Sequence, residues 1–483
     1  GALPSFVFRK NAPAYHPLGK AFGDAFWLLE CVNCNSWSRH EQRPIDPIGL
    51  CTECGHPLEP KRSAECREPL GFRTSFRRGE DADSDAPSGR YRSILAEATA
   101  SATLPIKDCN TKVSVRPTRI YRLNRGETSE PAGSGWQGFN LVTGSDLQRG
   151  HRGATAAFEE QVLDESLLAD KRFGARGFTA YEGGDARRIA GTWLAAPKTT
   201  DLLSMLPSTL PVGLQIDNLN GARLLIGLEP QAVLRALSAT AVRAAALSAT
   251  FLLVGRAAEK LDIDPEEFDI IEPRCVRPGG GFRVPILQFA DHLVNGAGFC
   301  RELARDDGLL LGQLIQDCLN ASDVYPLRDI LRGNHEILCE TACYLCMLRY
   351  RNQPFHGLLD WRLGLAYLAA FSTDQFSCGL DNDFNSPFLK TWKENVDRDV
   401  QRVTREFPRT ESKKIGALRA LRFETQSRWA VIAHPLWDAD TPAGILADAI
   451  GHLMGEPFVI VDSFNVARRP VTIRRAVLDW KST

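Results

Sequence analysis

An α+β protein of several domains is predicted from three features of the sequence. Two matched Cys-x-x-Cys turns lie between residues 31 and 54, in a stretch too short to hold a core of its own. Residues 231–261 are rich in Ala and Leu, with no Pro and no Gly before Gly255, the composition and length of a helix. After a turn-rich stretch at 377–387, short apolar runs alternate with helical ones. The expected organisation is an N-terminal cysteine-stapled region (1–90), a β-rich region (91–228), a helical domain (229–376) and a small α/β tail (377–483).

In chain order, 1–25 read as irregular and the charged, turn-rich 77–90 as a solvent loop. Residues 113–123 and 138–142 read as strands, and the Arg/Gly-rich 148–155 as a loop. The Ala/Leu run at 231–261 is one long helix or two stacked ones. Residues 262–267 end it and open a strand at 268–272. Pro278 with Gly279, Gly280 and Gly281 makes a turn into a strand at 282–289. Helices are expected at 311–320, 325–339 and 358–371. In the tail, strands at 429–433 and 458–462 flank a helix at 443–454. There is no internal repeat and no low-complexity tract.

With 43% hydrophobic and 24% charged residues, the composition is that of a globular protein. The 58 Lys and Arg balance the 59 Asp and Glu, so any nucleic-acid contact must come from local patches. No apolar run approaches the ~20 residues a membrane span needs. The opening Gly1-Ala2-Leu3-Pro4 has no initiator Met and no signal-peptide layout. The expectation is a fragment or processed chain, soluble, cytoplasmic and without a membrane partner. Of 13 cysteines, four fall in 31–54 and three in 339–346. In a cytosolic chain such clustering points to metal rather than to disulfides.

Cys31-Val-Asn-Cys34 and Cys51-Thr-Glu-Cys54-Gly55 give a C-x2-C…C-x2-C pattern. Each turn lets two thiolates converge on one ion, and two such turns build the tetrahedral sulfur cage of a zinc ribbon. Gly55 frees the backbone for the tight turn after the last ligand. Four protein ligands leave no open position for catalysis, so this zinc is structural.

His335-Glu-Ile-Leu-Cys339-Glu-Thr-Ala-Cys343-Tyr-Leu-Cys346 is the most informative stretch. Its three cysteines suit a second zinc knuckle. The fourth ligand is open on spacing alone: His335 lies one helical turn before Cys339 and shares its face, while Cys318, Cys300, His356 and Cys378 also qualify. Two Zn2+ sites are therefore expected.

The stretch 343–368, CYLCMLRYRNQPFHGLLDWRLGLAYL, resembles the MrfA-type zinc-binding domain found at the C-terminus of large DEAD/DEAH-box helicases. The same domain stands alone as the DrmB-like subunit of the DISARM phage-defence system. The family's Cys-Tyr-x-Cys…Tyr-x-Asn…His-x-x-Leu-Asp-x-Arg pattern is met by Cys343, Tyr344, Cys346, Tyr350, Asn352, His356, Leu359, Asp360 and Arg362. Met347 replaces the usual Leu. Residues 262–267 (DIDPEE), 291–299 (DHLVNGAGF) and 68–74 (EPLGFRT) resemble further segments of these helicases, as do 434–437 and 462–465. Residues 91–227 match nothing in that pattern. The resemblance implies a helicase motor as partner, in cis or in trans, and a role in antiviral defence or DNA repair.

The chain itself has no G-x-x-x-x-G-K-[ST] loop and no Asp-Glu-x-His stretch, so no ATP motor is expected in it. Basic and aromatic residues interleave around Arg349, Tyr350, Arg351 and Asn352, and again around Arg119, Arg122 and Arg125. Such patches suit single-stranded or duplex DNA. Arg468, Arg469, Arg474 and Arg475 form a third basic patch. Tyr350 and Asn352 are equally suited to buttressing the knuckle, and Asp360 to accepting a hydrogen bond from His356. Two other functions stay open: an interaction module that recruits a motor without touching DNA, and a metal-dependent nuclease using Asp438, Asp440 and Asp462.

Overall fold

The computed structural model describes residues 103–124, 198–219 and 229–479, except 277–281, 294–295, 321–325, 336–338, 425–426 and 454. Nearer the N-terminus and in between, it describes 4–8, 26–31, 37–45, 49–51, 55–60, 63–66, 72–76, 91–95, 177–182, 185–190 and 193–194. Helices and sheets are mixed, as the α+β reading requires. Residues 1–99 with 117–200 form one compact unit, and 100–116 with 201–483 another.

Strands build the first unit. Phe26–Glu30 is the middle strand of a three-stranded antiparallel sheet, flanked by Trp37–His40 and Ser63–Cys66. Pro4–Phe8 pairs with Phe72–Phe76, and Gly177–Glu182 with Asp185–Ala190. The expected strand at 138–142 and the loops at 77–90 and 148–155 lie outside the described residues.

In the second unit, β1 (Leu104–Pro105) pairs with the start of β2 (Thr111–Asn124). An antiparallel sheet follows, with β5 (Val284–Asp291) between β3 (Lys198–Pro207) and β4 (Phe268–Val276). Leu203, Met205, Leu287 and Phe289 on this sheet share one core with α1 (Pro230–Lys260). The Ala/Leu run is thus a single helix, buried on most of its circumference.

By length and composition α1 passes the test for a membrane span, with a mean hydropathy of 1.6 over 18 residues. This corrects the expectation that nothing in the chain is long and apolar enough. Yet 83% of that window is buried inside the protein, so here it serves as a core helix.

Beyond β5 come α2 (Phe299–Leu303), α3 (Arg305–Asn320) and α4 (Leu327–Leu331). The helix expected over 325–339 therefore stops early. Gly333, at φ +77°, ends it, with Asn334 N–H returning to the Asp329 carbonyl. Next, α5 (Trp361–Ser372) crosses α1 closely: a Cβ on Gly364 would stand 2.8 Å from the Ser248 carbonyl carbon. Its N-terminus is set by Asp360, whose carboxylate accepts from Arg362 N–H at 3.0 Å. The Ser248 hydroxyl donates to Ala244 O and accepts from Asp360 N–H.

The tail starts with α6 (Trp392–Glu406) and a four-stranded sheet in the order β6 (Glu411–Ile415), β7 (Leu418–Arg422), β8 (Trp429–Ala433), β9 (Phe458–Asp462). The first two pairings are antiparallel, and β8 and β9 are parallel across a crossover containing α7 (Gly444–Gly451). Two helices, α8 (Ser463–Arg468) and α9 (Pro470–Leu478), close it. Residues assigned to the helical domain and to the tail share one hydrophobic core.

Candidate metal centre

The loop between α4 and α5 gathers His335, Cys339, Cys343 and Cys346, whose ligand atoms all lie within 4.8 Å of one another. Cys339 N–H donates to His335 O at 2.9 Å, an i,i+4 bond that stacks the two ligands one turn apart. Cys346 N–H and Met347 N–H both return to Cys343 O at 3.1 Å, closing the knuckle. The Cys343 N–H points at the Cys346 sulfur, 3.1 Å away, an orientation that stabilises a thiolate there.

The spacings suit a tetrahedral ion. Zn–S bonds of ~2.3 Å place two ligand sulfurs about 3.8 Å apart. The Cys339 and Cys346 sulfurs are 3.9 Å apart, and Cys343 Sγ is 3.8 Å from His335 Nε2. The chemistry of the donors agrees. Burial, with the neighbouring thiols, raises the Cys339 thiol and pushes Cys346 up to about 11. At Cys343 burial acts upward too, but the N–H groups of Leu345 and Cys346 outweigh it and leave the thiol below its usual value. Burial lowers His335, which keeps its ring neutral and able to coordinate. Three sulfurs crowded in this way need a dication before they give up their protons. Four protein donors leave no position for a reacting water, so the ion such a site holds is structural.

Cys318 is not brought to the cluster. It is fully buried on α3, and burial pushes its thiol up to about 12. Cys300 sits on α2, and Cys378 lies 3.3 Å from His434 in the tail core. His335 supplies the fourth donor instead.

The surrounding shell also departs from expectation in one place. His356 does not bond to Asp360. Its Nε2–H donates to Arg349 O at 3.0 Å and Asn352 Oδ1 at 2.9 Å, two acceptors that fix the tautomer. Asp360 caps α5 and faces Arg468 at 3.6 Å. Asn352 is buried, accepting from Arg349 N–H and donating to Met347 O, so it braces the loop. Arg349 donates to the Tyr344 and Leu348 carbonyls while its side chain stays partly exposed. Tyr350 and Arg351 lie in a short 3-10 helix, Tyr350–Phe355.

Clamps from the rest of the unit hold the loop. Trp361 Nε1–H donates to Cys339 O, and the Trp361 ring meets His335 edge-on at 6.2 Å. Arg398 on α6 pairs with Glu340. Arg468 on α8 donates to Gly357 O and Leu359 O. Sequence spacing missed both arginines, because they come from the tail.

In the first unit Cys31 and Cys51 are buried together with Leu58 against them. Cys51 N–H donates to His56 O, Gly55 N–H donates to Cys51 O, and Gly55 stands at φ +68°. This is the turn a Cys-x-x-Cys-Gly knuckle needs. Cys34 and Cys54 lie outside the described residues, as does Arg125, while Arg119 and Arg122 fall on β2. Of the carboxylates considered for a nuclease, Asp462 is buried and accepts from the Asn465 amide and N–H. Asp438 accepts from Asp440 N–H and the Thr441 hydroxyl.

Comparison with known proteins finds no matching family model, no matching curated protein and no matching solved structure.

Proposed function

We propose that this chain is a zinc-binding, DNA-handling accessory region or split subunit of a DEAD/DEAH-box DNA helicase or translocase, cytoplasmic, in phage defence or DNA repair. The observation that carries the reading is the convergence of His335, Cys339, Cys343 and Cys346 at tetrahedral spacing. Two of those four, Cys343 and Cys346, belong to the stretch on which the helicase resemblance rests. The zinc would act as a staple, fixing the ends of a loop between two helices. A second zinc in the N-terminal ribbon fits the paired burial of Cys31 and Cys51. The motor would come from elsewhere on a longer chain or from another subunit.

Metal analysis of the purified chain and DNA binding over a salt series test this. Two zinc ions per chain, falling to about one in Cys343→Ser, support it, together with DNA affinity that drops steeply with salt. A zinc content that Cys343→Ser leaves unchanged overturns the metal assignment. DNA binding that is absent at low salt, with both zincs present, overturns the DNA-handling role in favour of a recruiting module.

A further inference from the structure

The zinc loop turns its ligands inward and a different set of side chains outward. Tyr344 and Leu345, the two residues between ligands Cys343 and Cys346, are 65% and 55% exposed, and Tyr350 is 50% exposed. Large apolar side chains projecting together from a loop fixed at its base mark a contact surface. The base is well fixed. The Tyr344 ring meets His356 edge-on at 5.9 Å, and His356 is locked in turn by Asn352 and the Arg349 carbonyl. Arg349, the residue before Tyr350, reaches back to the Tyr344 carbonyl at 3.2 Å.

The charge around these rings selects the partner. Residues 341–359 contain no Asp and no Glu, but they contain Arg349, Arg351 and His356. The nearest carboxylates are engaged. Glu340 pairs with Arg398, and Asp360 faces Arg468 while capping α5. Phenol rings near the partly exposed Arg349, in a stretch of sequence free of acids, match unpaired bases on a phosphodiester strand: the rings stack and the guanidinium meets phosphate. A duplex offers its phosphates but keeps its bases stacked within.

We infer that the outward tip of the zinc loop, Tyr344 with Leu345 and Tyr350 beside Arg349, is a stacking platform for the unpaired bases of single-stranded nucleic acid. This rests on the zinc-stapled reading above and names the ligand of that site. Because the zinc fixes the backbone on both sides of Tyr344, the ring is held ready before any strand arrives, and little ordering is left to oppose binding.

The test uses the full chain with fluorescein-labelled oligo-dT and an abasic strand of the same length and phosphate number. Wild-type protein is expected to bind oligo-dT about tenfold more tightly than the abasic strand. Tyr344→Ala is expected to remove most of that difference, and Tyr344→Trp to keep it, with zinc content unchanged in both. Equal affinity for the two strands overturns the platform without touching the zinc assignment, and needs no variant. A difference that survives both Tyr344→Ala and Tyr350→Ala in zinc-loaded protein also overturns it. If the wild type binds neither strand while holding its zinc, the tip faces a protein partner and the inference fails.

Discussion

His434 and Asp462 lie in the same tail, both fully buried, and burial drives their pKa values in opposite senses. Burial lowers His434 to about 3 from an ordinary 6.5. Its Nδ1 accepts from Leu436 N–H at 3.2 Å, with Cys378 Sγ at 3.3 Å. Burial raises Asp462 from 3.8 to about 6, against the opposing pull of its bonds to Asn465. Between pH 6 and 4 the unfolded chain therefore carries one more proton at His434 than the folded chain, and one fewer at Asp462. Acidification costs about 1.4 kcal/mol of stability per pH unit through the histidine and returns about as much through the aspartate. The two terms nearly cancel over this window.

Substitution uncovers each term alone. Asp462→Asn removes the aspartate term and leaves the histidine term unopposed, so the variant should lose about 2 kcal/mol relative to wild type on going from pH 6 to pH 4. His434→Asn keeps an acceptor for Leu436 N–H and removes the base, so it should gain about 3 kcal/mol relative to wild type over the same range. Urea unfolding followed by tail tryptophan fluorescence, read as variant minus wild type at each pH, removes the contributions of other carboxylates and of the zinc. Differences that stay constant from pH 6 to pH 4 would refute the reasoning for whichever residue shows them.

Three further outcomes follow from the geometry. Cys318→Ser should keep the wild-type zinc content, whereas His335→Ala should lower it by about one ion per chain, by atomic absorption; the reverse would move the fourth ligand to α3. Gly364→Ala places its methyl 2.8 Å from the Ser248 carbonyl carbon. Overpacking of 1–3 kcal/mol then outweighs a helix-propensity gain of about 1, so a melting temperature at or above wild type would show that α1 and α5 can move apart freely. Arg468→Ala removes the tail's hold on Gly357 O and Leu359 O. Zinc release to a chromogenic chelator should speed up several-fold, and an unchanged rate would show that the knuckle holds itself.

The sequence was most legible where one residue type dominates a run. Residues 429–433 and 458–461 are unbroken apolar runs, the second closed by Asp462, and both strands start and stop where expected. The hairpin of β6 and β7 is not legible because Glu411, Lys413 and Lys414 read as a charged loop, although Lys413 lies over Trp429 and pairs with Glu456. Its register depends on Gly416 at φ +56°, a backbone property that composition does not display. At the metal centre, helical spacing put His335 on the face of Cys339, and the structure keeps that i,i+4 relation in the bond from Cys339 N–H to His335 O. The partner of His356 was misjudged for a related reason. Spacing places Asn352 and Asp360 equally, four residues to either side, and only the cap of α5 decides that Asp360 turns away.

The hold of Arg468 on the loop that carries the four candidate ligands also fixes an order of events during synthesis. All four ligands leave the ribosome before α8 exists, so a nascent chain can gather its ion early but cannot clamp the loop that holds it. Between those two moments the metal is exposed to exchange with any cellular thiol pool. A chain stalled after Cys346 would hold such an ion loosely, whereas one that has grown through α8 clamps a site assembled far earlier.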